Sequence, residues 1–328
     1  MSGVTVRGGL RKAVQRAMYD GELILIQDLH RFLGSPDADA PLPQEIADRV
    51  SELLVTPQRD RRLSFSPSQL HTCERRQVFQ YAGVEKMETL QSELMNLFRD
   101  GTWRHLRLQA TLLHAGLINE VETSIGKPDR RLTGSIDGIG EDDNGAWLLE
   151  IKGINPFQFE KLLDIEAQPL ESHLYQGAGY ALATGVMRVV FLYECKSTQR
   201  FKEFDVDYSM PEYAPYLDEV RDILDRLNDH IDAQTLPEPL APDAKECFSC
   251  PFVLVCGEME PETVYGLVSD EEERRGVNKD TKKRVVKKVK KPAPVEVAEE
   301  ESEEDDEYQH VRSDLKESEL PWRLRKHR

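Results

Sequence analysis

The residues best suited to chemistry lie between Leu132 and Gly153. One apolar run ends in Ser135-Ile136-Asp137-Gly138, a polar stretch follows from Glu141 to Gly145, and a second apolar run carries Glu150-Ile151-Lys152. The Asn144-Gly145 pair between two β-rich runs predicts a hairpin. Closed about Asp143 and Asn144, that hairpin sets Asp137 opposite Glu150 on the neighbouring strand. Lys152, two residues beyond Glu150, projects from the same face because side chains alternate along a strand. Two buried carboxylates side by side repel each other unless a cation lies between them. Such a pair holds one or two divalent cations that polarise a phosphodiester and lower the pKa of a bound water, while the ammonium orients that water or stabilises transition-state charge. Oxygen ligands of this kind suit Mg2+ or Mn2+. Taken alone, these residues also fit a polar hairpin whose acids and lysine are solvated.

Five cysteines form a second constellation. Cys247, Cys250 and Cys256 stand close together, with Cys73 alone far upstream. Three thiols leave a tetrahedral site one ligand short, so a fourth must come from elsewhere in the fold. Cys195 follows the apolar run Val189 to Tyr193 and reads as a strand-end or core cysteine. The spacing matches neither common zinc fingers nor the ferredoxin run.

These side chains need elements to position them. From Ser66 to about Cys256, helix-like segments alternate with strand-like ones. Helices are expected over Trp103–His114 and Leu174–Ala183, and strands over Leu132–Ile139, Ala146–Ile151 and Arg188–Tyr193. That order predicts an α/β core with a mixed sheet. Ahead of it, residues 3 to 56 read as helices, because Leu10, Val14 and Met18, then Leu23, Leu25, Ile26, Leu29 and Leu33 recur at helical spacing. A break at Gly34-Ser35-Pro36 precedes a second amphipathic helix around Ile46 to Val55. This helical region carries no chemical signature and is expected either to pack on the core or to contact a partner. After about Thr263 a basic run, Lys282 to Lys291, and an acidic one, Glu299 to Glu307, replace apolar residues, which predicts disorder. Leu320, Trp322 and Leu324 near the end fit a solvated tail or a short docking motif for a protein partner. The expected division is therefore 1–62 accessory helices, 63–262 catalytic domain and 263–328 charged tail.

The 328 residues are 39% apolar and 31% charged, enough for one sizeable core plus appendages. Asp20, Glu22, Asp28 and His30 interrupt the early Leu/Ile cluster, so no signal-peptide run forms, and no later run is long enough to span a membrane. A cytoplasmic location is expected, where thiols stay reduced and cysteines serve metals more often than disulfides. The net charge of -17 weakens a nucleic-acid reading without removing it. A nuclease gathers carboxylates to hold cations and needs basic residues only along the strand path.

With these residues in place, the chain resembles the PD-(D/E)XK nucleases, and specifically their RecB-like branch. That branch carries Gly-x-x-x-His on an upstream helix, matched by Gly101 to His105, and Gln-x-x-x-Tyr on a downstream helix, matched by Gln176 to Tyr180. Ile136 stands where the motif's proline would be, but Gly134 to Asp137 fits the Gly-x-x-Asp form common in this branch. The resemblance implies a restriction-endonuclease-like core, a mixed sheet flanked by helices. It implies that His105, Asp137, Glu150 and the backbone carbonyl of Ile151 hold metal, that Lys152 assists the attacking water, and that Gln176 and Tyr180 support the site. His114 is assigned the bland role of a helix-surface histidine.

The cysteines resemble those of iron–sulfur nucleases in this branch, which include the AddB nuclease subunit and the CRISPR-associated Cas-four-type exonucleases. In these, one cysteine precedes the nuclease motifs and three follow. The segment Ser66 to Arg76 resembles their leading segment, and the resemblance covers roughly Phe65 to Gly257. It implies a 4Fe-4S cluster on Cys73, Cys247, Cys250 and Cys256, with zinc as the competing metal, tying the domain's ends together. The implied activity is that of a DNA exonuclease on ends or single strands, 5′ to 3′, serving recombination, repair, phage DNA metabolism or spacer processing, with homo-oligomers possible. Two other readings stand beside it: a non-catalytic DNA-end-binding or assembly protein on a nuclease scaffold, and a zinc-stapled α/β protein in which the triad is coincidental.

Overall fold

A computed structural model describes residues 24–55, 62–86, 92–241 and 243–276. Its centre is one mixed sheet of β1 (Glu120–Lys127), β2 (Leu132–Asp142), β3 (Gly145–Ile154), β4 (Arg188–Cys195) and β5 (Phe201–Asp207). Spatial order follows chain order, and only the β3–β4 pair is parallel. Around the sheet lie α1 (Ile26–Leu33), α2 (Gln44–Val55), α3 (Glu74–Ala82), α4 (Ser92–His114), α5 (Pro156–Lys161), α6 (Glu171–Thr184), α7 (Ala214–Ala233), α8 (Lys245–Phe248) and α9 (Pro261–Arg274). The expected α/β class with a mixed central sheet is the class found.

Alternation along β3 and β4 builds two cores. Trp147, Leu149, Ile151, Val190 and Leu192 pack with Ile26, Leu29 and Phe32 of α1 and Leu108 and Leu112 of α4. Leu148, Val189, Phe191 and Tyr193 face the other way, onto Leu174 and Ala178 of α6 and Leu217, Val220 and Leu224 of α7. A parallel join needs a crossover, and α5 and α6 supply it between β3 and β4. The β2–β3 hairpin turns on Asp143-Asn144, with Asp142 paired to Gly145. Gly145 sits at φ 104, a conformation open to glycine at little cost.

The sequence left open where the first helices go. Leu25, Ile26 and Leu29 are buried on the sheet, and the buried carboxylate of Glu203 on β5 accepts the amides of Ile24, Leu25 and Ile26, two of them at 2.6 Å. An anion thus meets the free amides that begin α1. Burial pushes the Glu203 carboxyl up to about 7, against those three hydrogen bonds. His114, expected on the helix surface, is instead half-buried and packs edge-on against the buried Phe32 of α1.

One boundary needs correction. The tail expected from 263 begins later, because α9 runs to Arg274 with Val264, Tyr265 and Val268 buried and the Tyr265 hydroxyl donating to the carbonyls of His230 and Thr235. Its glutamates lowered the apolar content, but those three residues are enough to fasten one face. The edge strands β1 and β5 and the helices α3 and α7 were not foreseen. β1 has an exposed, largely polar pattern with no apolar run to betray it. The helical pattern of Leu10, Val14, Met18 and Leu23, the charged runs and the segment Leu320 to Arg328 lie outside the described residues. Among the described residues, no helix is long and apolar enough to cross a membrane.

Candidate active site

The β2–β3 ladder ends at Gly138 paired with Leu149, one step short of Asp137 and Glu150. At the next step a side chain takes over: Asp137 Oδ2 accepts the Ile151 amide at 2.7 Å. Extending the same register sets Asp137 across from Glu150, as the hairpin spacing predicts. Both carboxylates are buried, 8% and 2% exposed, so neither is a solvated surface acid.

Helices from both layers close on this point. From α4, His105 Nδ1 lies 3.1 Å from Asp137 Oδ1, and Gln109, one turn on, donates to the Asp137 carbonyl at 2.9 Å. From α6, Gln176 Nε2 donates to Glu150 Oε1 at 2.8 Å and to the Tyr180 hydroxyl at 2.6 Å. Gln176 Oε1 accepts from Lys152 Nζ at 2.8 Å, and that ammonium is 2.7 Å from Glu150 Oε1. The glycines between Gln176 and Tyr180 make this approach possible. A Cβ at Gly177 would lie 2.5 Å from the Tyr208 hydroxyl and one at Gly179 2.9 Å from Leu70, so only bare backbone brings α6 this close. Asp137, Glu150, Lys152, His105, Gln176 and Tyr180 therefore meet in one place. Ile151 enters through its amide, which donates to Asp137.

Sequence reasoning missed Glu122. In the β1–β2 register it falls opposite Asp137, but pairing skips it, and its backbone is at φ 49. A left-handed, non-glycine residue in a strand is strained, and such strain clusters at functional sites. Gln109 Nε2 donates to one Glu122 oxygen at 3.1 Å and the Ser135 hydroxyl to the other at 2.8 Å. One ligand atom each from His105, Glu122 and Asp137 falls within 4.8 Å of the others, close enough for a single ion. The only sequence signal was an acid in the strand before the hairpin, and Glu120 offered the same signal.

Charge explains the protonation. Burial works against a charged His105, but the Asp137 carboxylate bonded to it, with Glu150 nearby, raises its pKa to about 9. Burial would raise Asp137, yet His105, the Ile151 amide and Lys152 hold it below the ordinary carboxylate range. Glu150 goes the other way, raised by burial and by Asp137 despite Lys152. Its Oε2 is buried without a partner. An orphaned carboxylate oxygen beside an acidic cluster fits a divalent cation, which would neutralise both acids and satisfy that oxygen.

The four predicted cluster cysteines also converge. Burial and the neighbouring sulfurs of Cys73, Cys250 and Cys256 push the Cys247 thiol up, and burial does the same to Cys256 against the pull of Arg75. Arg75, in the first turn of α3, donates to the carbonyls of Pro237, Cys256 and Met259, so the helix following Cys73 is clamped to the segment carrying the other three. Cys195 is buried at the end of β4, in the hydrophobic core.

No family model matches the chain, and no curated protein does. Among solved structures, SSO0001 is similar at 19% identity, covering 65% of this chain and 94% of that one, with TM-score 0.36. The alkaline exonuclease LHK-Exo from Laribacter hongkongensis is similar at 17% identity over 52% of this chain and 92% of its own, with TM-score 0.38. Its complex with dAMP matches at 17% identity over 53% and 92%, with TM-score 0.39. At such scores the likeness transfers no function, and the residues of the site have to carry it.

Proposed function

We propose that this chain is a divalent-metal-dependent deoxyribonuclease acting as an exonuclease on DNA ends, with single strands as substrate and 5′ to 3′ polarity. The observation that carries the reading is the grouping of His105, Glu122 and Asp137, with the buried Glu150 within electrostatic reach of Asp137 and one of its oxygens unpartnered. Asp137, Glu150, His105 and Glu122 would hold Mg2+ or Mn2+, with the Ile151 carbonyl as a further ligand. When bound, the cation polarises the phosphodiester and lowers the pKa of a bound water. Lys152, aimed by Gln176 and Glu150, donates hydrogen bonds toward the attacking water or the charge that builds on phosphate. Gln176 fixes Lys152 and Glu150 together, and Tyr180 holds Gln176.

The RecB-like resemblance extends this reading to a 4Fe-4S cluster on Cys73, Cys247, Cys250 and Cys256. Tetrahedral zinc, with Zn–S of about 2.3 Å, draws thiolates to about 3.8 Å of one another. Zinc held by the same four thiolates is the competing reading. The cluster's role would be structural, tying the leading segment to the C-terminal one. Iron and sulfide analysis after anaerobic purification tests it; stoichiometric zinc in a colourless protein overturns it.

The test of the activity is stepwise shortening of end-labelled single-stranded DNA with Mg2+ or Mn2+, stopped by EDTA and by Asp137→Ala. Labels at either end read the polarity. DNA binding without cleavage under both cations would replace this reading with a non-catalytic end-binding protein.

A further inference from the structure

A cavity of about 350 Å³ lies between the segment Arg62 to Gln69 and α3, with Phe252 of the cysteine segment on its wall. Arg62, Arg76 and Lys86 line it, and none of its lining residues is a carboxylate. A lining with cations and no carboxylate suits an anion. Arg62 is engaged by Glu271 at 3.0 Å, whereas the Nε of Arg76 is buried and hydrogen-bonded to nothing.

Two amide oxygens on the same wall are also buried and unpartnered, Gln69 Oε1 and Gln77 Oε1. Gln77 is 2% exposed, and its Nε2 donates to the Thr72 carbonyl at 2.9 Å. A carbonyl can only accept, so this bond fixes which end of the amide is left without a donor. Unpaired buried polar atoms are rare in folded proteins, and three of those among the described residues line this one cavity.

The unmet demands are of two kinds. Arg76, with the exposed Lys86 beside it, asks for an anionic acceptor, and the two glutamines ask for N–H or O–H donors. Inorganic phosphate supplies chiefly the first. A nucleotide supplies both, phosphate oxygens for the cations and base or sugar donors for the amides, and a cavity of this size falls in the range of small-molecule sites. Arg76 also lines an adjoining groove of about 680 Å³ with His71, which lies within electrostatic reach of both Arg76 and Lys152.

We propose that this cavity, built on Arg76, Lys86, Gln69 and Gln77, is a nucleotide-binding site distinct from the metal site. It takes one nucleotide, either free or at the end of a strand. The strand-borne form rests on the nuclease reading; the binding itself does not.

The test is calorimetric binding of dGMP to the full chain in EDTA, beside deoxyguanosine and inorganic phosphate. The base of dGMP offers donors to the two glutamines. Expected is binding of dGMP at least about tenfold tighter than either fragment, weakened about tenfold by Arg76→Ala and a few-fold by Lys86→Ala. Lys86 is exposed, so its variant leaves the fold intact. A short single-stranded oligonucleotide that displaces dGMP assigns the site to a strand's nucleotide, and one that leaves dGMP bound assigns it to the free mononucleotide; both outcomes support a nucleotide site. No dGMP binding, phosphate binding as tight as dGMP, or unchanged dGMP affinity in both variants overturns it. Because EDTA removes the nuclease cation, failure of cleavage and failure of this site are read separately.

Discussion

Lys152 Nζ lies 2.7 Å from Glu150 Oε1, while the second oxygen of that buried carboxylate has no partner. The lysine is thus the main counterweight to the burial and the Asp137 charge that raise the Glu150 pKa. Lys152→Ala should raise it further, so that Glu150 takes a proton more readily and binds cations less well. Cleavage should fall by about 10²- to 10⁴-fold and recover in part as pH rises. Glu150→Ala should lose as much with no recovery. Single-turnover rates across pH, at fixed Mn2+, separate the two; a Lys152→Ala rate equal to wild type removes the lysine from the chemistry.

Glu122 couples strain to a ligand position. At φ 49 a glycine would rest more comfortably, so Glu122→Gly should stabilise the EDTA-treated protein by about 1 kcal/mol while removing one carboxylate from the His105–Asp137 group. Glu122→Gln keeps the strain and loses only the charge. Both should weaken Mn2+ binding by about 10- to 100-fold. Denaturant midpoints and Mn2+ titration followed by electron paramagnetic resonance would show stability rising in one variant and affinity falling in both.

His105 provides the pH test. Its pKa in the folded protein stands at about 9, above the ordinary 6.5, because Asp137 holds the charged ring. The stabilisation from this pair is therefore fully present below pH 6.5 and is lost as pH rises through about 9. Thermal melts in EDTA should show wild type above His105→Gln at pH 6, with the gap closing between pH 6.5 and 9. A gap that stays constant or widens over that range contradicts the His105–Asp137 charge pair.

Much of this site could be read from the chain because short-range rules wrote it. Alternation and an Asn-Gly turn fixed the hairpin, and a four-residue helical repeat put Gln176 and Tyr180 on one face. Glu122 escaped because nothing local separates it from Glu120; its role depends on a left-handed backbone and on Gln109 and Ser135, which arrive from other elements. The docking of α1 escaped for the same reason, since its amides are satisfied by Glu203, far away in the chain. In α9, composition misled, because three inward residues suffice to order a helix that is otherwise charged.

Arg75 links the two halves of the cysteine arrangement, and its geometry sets the last prediction. Arg75 is 8% exposed, and its guanidinium sends four hydrogen bonds of 2.9 to 3.2 Å to three carbonyls, two of the bonds to Cys256. It also lies over the Phe79 ring at 5.4 Å. Removing it strands those carbonyls and frees the segment bearing Cys256 from the helix that follows Cys73. Arg75→Ala should destabilise the protein by about 2 to 4 kcal/mol. Arg75→Lys should rescue little, because one ammonium cannot reproduce a planar fork aimed at three acceptors. If the cysteines hold a cluster, both variants should also retain less iron and sulfide than wild type after anaerobic purification. Denaturant midpoints read the clamp and metal analysis reads the cluster, so a lowered midpoint with full iron would keep Arg75 as a fold clamp and free the cluster from it.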